Sequence, residues 1–275
     1  YPSPILPDGR LISFPIPGHQ GVPYADLRLD GGPTYADLMS QLGITNVRAG
    51  RRGRIPTDQA RAHVDPDIAP TVLERMPGWF PAFGQLGAAQ GHLRNNGVAP
   101  GDLFLFFGWF AEVGHTATNL RFRRDAPPVQ SLWGYLEVGE VMPVASTVEP
   151  PPWLAVHPHF AYRERPGYAH RSNTVYIAAP RLSLAPHLPG AGTLGRFRPA
   201  IRLSKLGGPP SLWDLPAAFH PSRTGTPLTF HGSAARWSLE GKRTVLDAAK
   251  QGQEFVVRCT PELQDWTAEL LSASA

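Results

Sequence analysis

Residues 84–110, GQLGAAQGHLRNNGVAPGDLFLFFGWF, set a dense group of polar side chains directly before the most apolar run of the chain. Gln85, Gln90, His92, Arg94, Asn95 and Asn96 stand there without an apolar stripe to bury them. Amide, imidazole and guanidinium groups threaded with Gly84, Gly87, Gly91 and Gly97 suit hydrogen bonding to a base or a nucleotide. The competing reading is a polar loop whose side chains stabilise its own turns. Leu103 to Trp109 then reads as a strand buried on both faces.

Working outward, SLWGYLEVGEVMPV supplies a second strand through Leu132, Tyr135, Leu136, Val138, Val141 and Val144, and two such strands pair readily. Near the start, Asp8-Gly9 between apolar residues reads as a hairpin turn, and Pro15 and Pro17 confine the next segment to an edge. Thr34 caps a helix over 35–42, where Tyr35, Leu38, Met39 and Leu42 recur at helical spacing and Gly43 closes it. With 31 Pro and 28 Gly, long uninterrupted helices are not expected. The fold class expected is α+β, with mixed, largely antiparallel sheets and few short helices.

A chain of 275 residues with 42% hydrophobic content buries a sizeable core, and one domain is expected. No apolar run approaches the ~20 residues needed to cross a bilayer, so no membrane partner is expected. The lone cysteine, Cys259, excludes an internal disulfide framework and fits a cytoplasmic location. Tyr1 in place of Met, with neither a basic leader nor an apolar signal core, predicts that the natural chain begins upstream. Lys occurs only at Lys205, Lys242 and Lys250, so 23 of the 26 basic residues are Arg. Arg binds phosphate bidentately and stacks on bases, although a high-GC genome explains the same bias. A net charge of +4 permits a nucleic-acid partner without demanding one.

Residues 46 to 61 carry Arg48, Arg51, Arg52, Arg54 and Arg61 among Gly and Pro, which reads as a mobile basic loop. Arg51, Arg52 and Arg54 are its candidate phosphate ligands, against the plain reading of a solvated loop. In AHVDPDIAP, alternation places His63, Asp65 and Asp67 on one face, and in VHPHF it does the same for His157 and His159. The first face could take a divalent ion, and the histidine pair would need a distant partner such as His170 or Asp65. Turn chemistry explains the same letters, and no metal ligand is assigned. His92 is the better candidate for acid–base chemistry or for contact with a base edge. Asn173 precedes an apolar strand, and the PGAG of residues 189–192 reads as a tight turn. Trp79, Phe80, Phe83, Trp109 and Phe110 flank the polar group and could stack on a flipped base or simply fill the core. The Walker A, Gly-x-Gly-x-x-Gly and Gly-x-Ser-x-Gly patterns are absent, which excludes P-loop, Rossmann and α/β-hydrolase chemistry.

Three resemblances follow from these segments. The Gly-Asp-strand-GYLEVGEV arrangement over about 40 residues resembles PUA-like barrels, including the EVE and ASCH groups, which bind RNA or modified bases. The segments PSPILPDGRLISFPIP, TYADL, HVDPD, FGQLGAAQGHLRNNGVAPGDLFLFFGWF, GYLEVGEV, HPH, NTVYIA, PGAG and GQEFVV together resemble the nucleotide modification associated domain 3 family. That likeness implies a nucleic-acid or nucleotide partner, most naturally DNA, and other components of a base-modification system. It also implies a short strand ahead of the PSPI segment. Finally, GQEFVVRCTPELQDWTAELL resembles the end of DarT-like ADP-ribosyltransferases, which implies NAD as cofactor and Glu254, at the start of a strand, as the catalytic carboxylate. The fold would then have a PUA-like or ADP-ribosyltransferase-like core. The enzyme reading assigns catalysis to Glu254 and His92 and base contacts to Gln85, Gln90, Arg94, Asn95, Trp109 and Asn173. The alternatives are a reader of modified bases that does no chemistry, and a structural partner.

Overall fold

The computed structural model describes residues 1–30, 32–49, 53–248 and 254–273. The chain opens with β1 (Ser3–Ile5), and Gly9, with φ of +85°, lets it fold back so that Leu6 O accepts from Gly9 N at 2.8 Å. This is the Asp8-Gly9 hairpin turn. A small sheet follows, with β2 (Ile16–Gly18) at one edge, as its prolines require, then β3 (Val22–Pro23) at the other. Helix α1 (Tyr35–Gln41) begins at Thr34, whose side chain and that of Asp37 cap each other's backbone amides. Tyr35, Leu38 and Met39 are its buried face, and Gly43 follows with a positive φ.

The basic segment is more ordered than a loop. β4 (Asn46–Ala49) and β5 (Gly53–Pro56) form an antiparallel hairpin, because Val47 and Ile55 have an apolar cluster to pack on. Arg51 and Arg52 lie outside the described residues. β6 (Arg61–His63) runs between β2 and β3. After β7 (Ala82–Gln85), residues Gly87–Asn95 form helix α2. Gln90, His92, Arg94 and Asn95 of the polar group are thus helical, against the competing reading of a loop, with Gln90 and Leu93 turned inward.

The two longest strands are β8 (Leu103–His115) and β10 (Val129–Pro143), separated by β9 (Leu120–Phe122). They pair antiparallel from Leu103↔Glu137 to Phe110↔Val129, with Trp133 as an extra residue between Leu132 and Gly134. Gly134 leaves room for Ile68 here: a Cβ would lie 2.4 Å from Ile68 Cδ1 and displace it. Two short helices, α3 (Pro152–Ala155) and α4 (Pro158–Ala161), lead to the fully buried β11 (Thr174–Ala178). The VHPHF segment is therefore a helical turn and not a strand, since Pro158 sits at the first helical position, where it is tolerated.

β12 (Ala191–Thr193) pairs with β10, so the PGAG residues enter a sheet edge. The C-terminal part adds β13 (Leu212–Pro216), α5 (Pro221–Thr224), β14 (Trp237–Glu240), β15 (Arg243–Asp247) and α6 (Pro261–Ser272). Residues 254–260 form neither strand nor helix, which corrects the strand expected at Glu254. Helix α6 buries Leu263, Leu270 and Leu271.

The main sheet has the order β1-β8-β10-β11-β7, with β9 and β12 attached to β8 and β10. Among the described residues, only β1 and β8 pair in parallel. The protein is thus α+β, with mostly antiparallel sheets and few short helices. The strand path ends at β1 and β7 without closing, and neither a PUA-like nor an ADP-ribosyltransferase-like core is established by it. Leu103, Leu105 and Phe107 project to the C-terminal sheet and α6, whereas Phe104 and Phe106 project to the opposite side with Phe83 and Tyr176. No helix among the described residues is long and apolar enough to cross a membrane.

Candidate functional site

A cleft of about 1950 Å³ runs along β8 and is lined by residues of β7, the 63–68 segment and the 254–259 segment. One wall is aromatic. Phe104 and Phe106 alternate on the same face of β8, as a period of two dictates, and stack at 6.1 Å with planes 9° apart. Phe83 meets each edge-on at 5.2 Å. All three rings are partly exposed to the cleft.

Beside this wall, Gln85 at the end of β7 donates through Nε2 to Glu254 Oε1 at 2.7 Å, and its own amide oxygen accepts from Leu86 N. The two contacts fix the amide's orientation, so the glutamate is held by a group 169 positions away. Both residues were expected at the site from the sequence. Trp109 also lines the cleft and is 46% exposed.

The other expected residues are spread more widely. His92 lies on α2, with Nε2 3.0 Å from Thr229 Oγ1 and its ring stacked at 4.5 Å on Phe230. Thr229 Oγ1 in turn accepts from Val256 N, which ties His92 to the segment carrying Glu254. Gln90 is buried and accepts from the Tyr176 hydroxyl at 3.0 Å. Arg94 and Asn95 are exposed on α2. Arg54 is exposed on β5, opposite Arg48 in the hairpin register.

Deeper in the cleft lies a centre that spacing along the chain did not bring together. β6 ends at His63, and the chain then turns through Asp65 and Pro66 against the short strand β7. Asp65 Oδ1 accepts from Gly84 N at 2.8 Å, and Oδ2 lies 3.1 Å from His159 Nε2 and 3.5 Å from His63 Nε2. His157 Nε2 stands 3.7 Å from Oδ1. Burial pushes the Asp65 carboxyl up, but the surrounding His157, His159 and His63 outweigh it and hold the group well below the usual carboxylate range.

Around this carboxylate the rings are fixed from behind. Asn173 Nδ2 donates to the carbonyls of Tyr168 and His159, so its Oδ1 faces His159 Nδ1, at 2.5 Å. Asn173 is 1% exposed. The Tyr168 hydroxyl lies 3.3 Å from His63 Nδ1, and burial together with the Asp65 charge pushes this phenol up to about 12. Gly84 is required by contact: a Cβ there would fall 2.2 Å from the His159 ring. His63, Asp65, His159 and Tyr168 all line the cleft.

Two of the sequence candidates for this region have other partners. Asp67 receives both Arg75 guanidinium nitrogens, at 2.7 and 2.8 Å, and the Trp79 indole N–H. His170 turns to Ser172. Tyr168 and Gly84 were not anticipated as partners of the histidines. Their roles arise from tertiary approach, for which the sequence carries no spacing signal.

No curated protein and no solved structure matches this chain. The family model described as nucleotide modification associated domain 3 matches residues 1–258. With nearly all of its length matched, the chain belongs to the nucleotide modification associated domain 3 family.

Proposed function

We propose that the chain binds a nucleotide, free or within a nucleic-acid strand, in the cleft along β8 and modifies it there. Family membership fits a role in nucleotide modification and a nucleotide or nucleic-acid partner. The observation that carries the finer reading is the Gln85–Glu254 pair beside the Phe83, Phe104 and Phe106 wall. Aromatic faces stack on bases at about 1–3 kcal/mol per base and tolerate any sequence. A carboxylate whose one oxygen is held by an amide keeps the other for a ribose hydroxyl, a base edge or a developing positive charge. Transfer of ADP-ribose from NAD to a nucleobase is the version in which Glu254 stabilises a cationic ribose. The cleft exceeds the volume of a single small ligand, which accommodates a substrate together with a second group.

Reading a modified base without chemistry is the second possibility, favoured by the same aromatic wall. The two separate on Glu254→Gln, which preserves shape and the hydrogen bond from Gln85. Melting of the chain is measured against NAD, mononucleotides, and single- and double-stranded DNA, since a ligand of the folded state raises Tm. The enzyme reading expects a Tm rise that survives in Glu254→Gln, together with a loss of product formation by at least 100-fold. Retention of full turnover in the variant removes Glu254 from the chemistry, and binding with no product from the native chain supports the reader.

A further inference from the structure

We propose that His63, Asp65 and His159 bind one first-row divalent transition-metal ion, with its open coordination positions turned to the cleft. Each of the three side chains offers one ligand atom, an imidazole nitrogen or a carboxylate oxygen, and these atoms lie within 4.8 Å of one another. Of the two contacts of Asp65 Oδ2, the 3.1 Å to His159 Nε2 has the length of an edge of a coordination polyhedron, and the 3.5 Å to His63 Nε2 is slightly longer. Ligands about 2.1 Å from a shared metal stand roughly 3.0 to 3.4 Å apart.

The hydrogen bonds decide what those atoms present. Asn173 is oriented by two carbonyls, so its oxygen faces His159 Nδ1 and that nitrogen carries a proton. In the neutral ring, Nε2 is then a lone pair aimed at a carboxylate oxygen, and either a proton or a metal ion has to stand between these two acceptors to turn their repulsion into attraction. Tyr168 provides the corresponding outer contact for His63 Nδ1. Metal-binding imidazoles are held through their far nitrogen in this manner, which sets tautomer and direction.

An independent observation is the His157 ring behind the centre. Its side chain is 3% exposed, and its Nε2 has no hydrogen-bond partner among the described residues while pointing at Asp65 Oδ1. His157 Nδ1 accepts from His159 N, so Nε2 carries the proton and faces Oδ1 from 3.7 Å, beyond hydrogen-bond reach. Gly84 N holds the rear oxygen with the His157 ring behind it, leaving Oδ2 to the front. The donor set of two imidazoles and one carboxylate suits Zn(II), Fe(II), Co(II) or Mn(II) more than Mg(II) or Ca(II), which prefer all-oxygen sites. Three protein ligands with an open side correspond to a reactive site and not to a closed structural one. The site stands on geometry separate from Gln85 and Glu254, so it does not depend on the nucleotide reading.

The test uses the full chain without an affinity tag, stripped by chelator and titrated with Co(II), then with Zn(II) as competitor, with no nucleotide present. Expected are one equivalent bound, visible absorption from Co(II) that Zn(II) abolishes, and at least 100-fold weaker binding in His63→Gln and His159→Gln. Tyr168→Phe, which removes only the outer contact of His63, keeps the fold and weakens binding about 10-fold. A native chain with intact circular dichroism that binds neither ion at micromolar concentration overturns the proposal. So does binding that is unchanged in His63→Gln, His159→Gln and Tyr168→Phe, because the ion is then held elsewhere.

Discussion

Asp65 concentrates several demands on one side chain: it is buried, it accepts from a backbone amide, and three imidazoles face it. Its carboxyl sits below the unfolded value of about 3.9, so it contributes stability that is fully present above that pH. The contribution is lost as pH falls from about 4 through the folded value. Asp65→Asn is expected to be about 3 kcal/mol less stable at pH 7 and to lack this part of the acid slope. Urea denaturation between pH 3 and 7, in chelator, measures both; parallel pH slopes for the two chains would contradict the assignment. From sequence, Asp65 appeared with His63 as a minor candidate, because Pro-flanked Asp residues usually make turns. What selects it is the approach of β7 and α4, to which neighbouring letters give no access.

At the scale of elements, helix α1 was legible because capping and burial agree locally. Thr34 and Asp37 exchange hydrogen bonds across the first turn, and the buried side chains recur at helical spacing. Thr34→Ala is expected to cost about 1 kcal/mol, read from the urea midpoint at unchanged slope; a shift near zero would show that tertiary contacts alone hold the helix. The pairing of β8 with β10 was legible for the same reason, since both are long apolar runs. Helix α2 was not: its glycines have low helix propensity, and only Gln90 and Leu93 are buried along it. The hairpin of β4 and β5 was hidden by its arginines, whose exposed side chains mask Val47 and Ile55. Helix α4 was read as a strand because Pro158 fits an extended segment and a helix start equally.

For the whole molecule, the α+β class was readable from Pro and Gly content, whereas the order of strands was not. The site depends on that order. His63 and Tyr168 are 105 positions apart, and Gln85 and Glu254 are 169 apart. Neither pairing leaves a trace in local pattern, although Gln85 was singled out by residue type and Glu254 through the DarT-like resemblance. Refolding from urea is expected to restore nucleotide binding no sooner than native tryptophan fluorescence, as followed by stopped flow. Binding that returns first would mean that the cleft forms without the sheet. Gly84 and Asn173 flank the rung where β7 meets β11, so the carboxylate's backbone donor and the imidazole's anchor come from the two sides of a single strand pairing. On the ribosome, His63 and Asp65 therefore emerge long before the residues that orient them. The nascent chain carries half a centre until β11 has left the exit tunnel, and any ligand this centre keeps has to be acquired after that point.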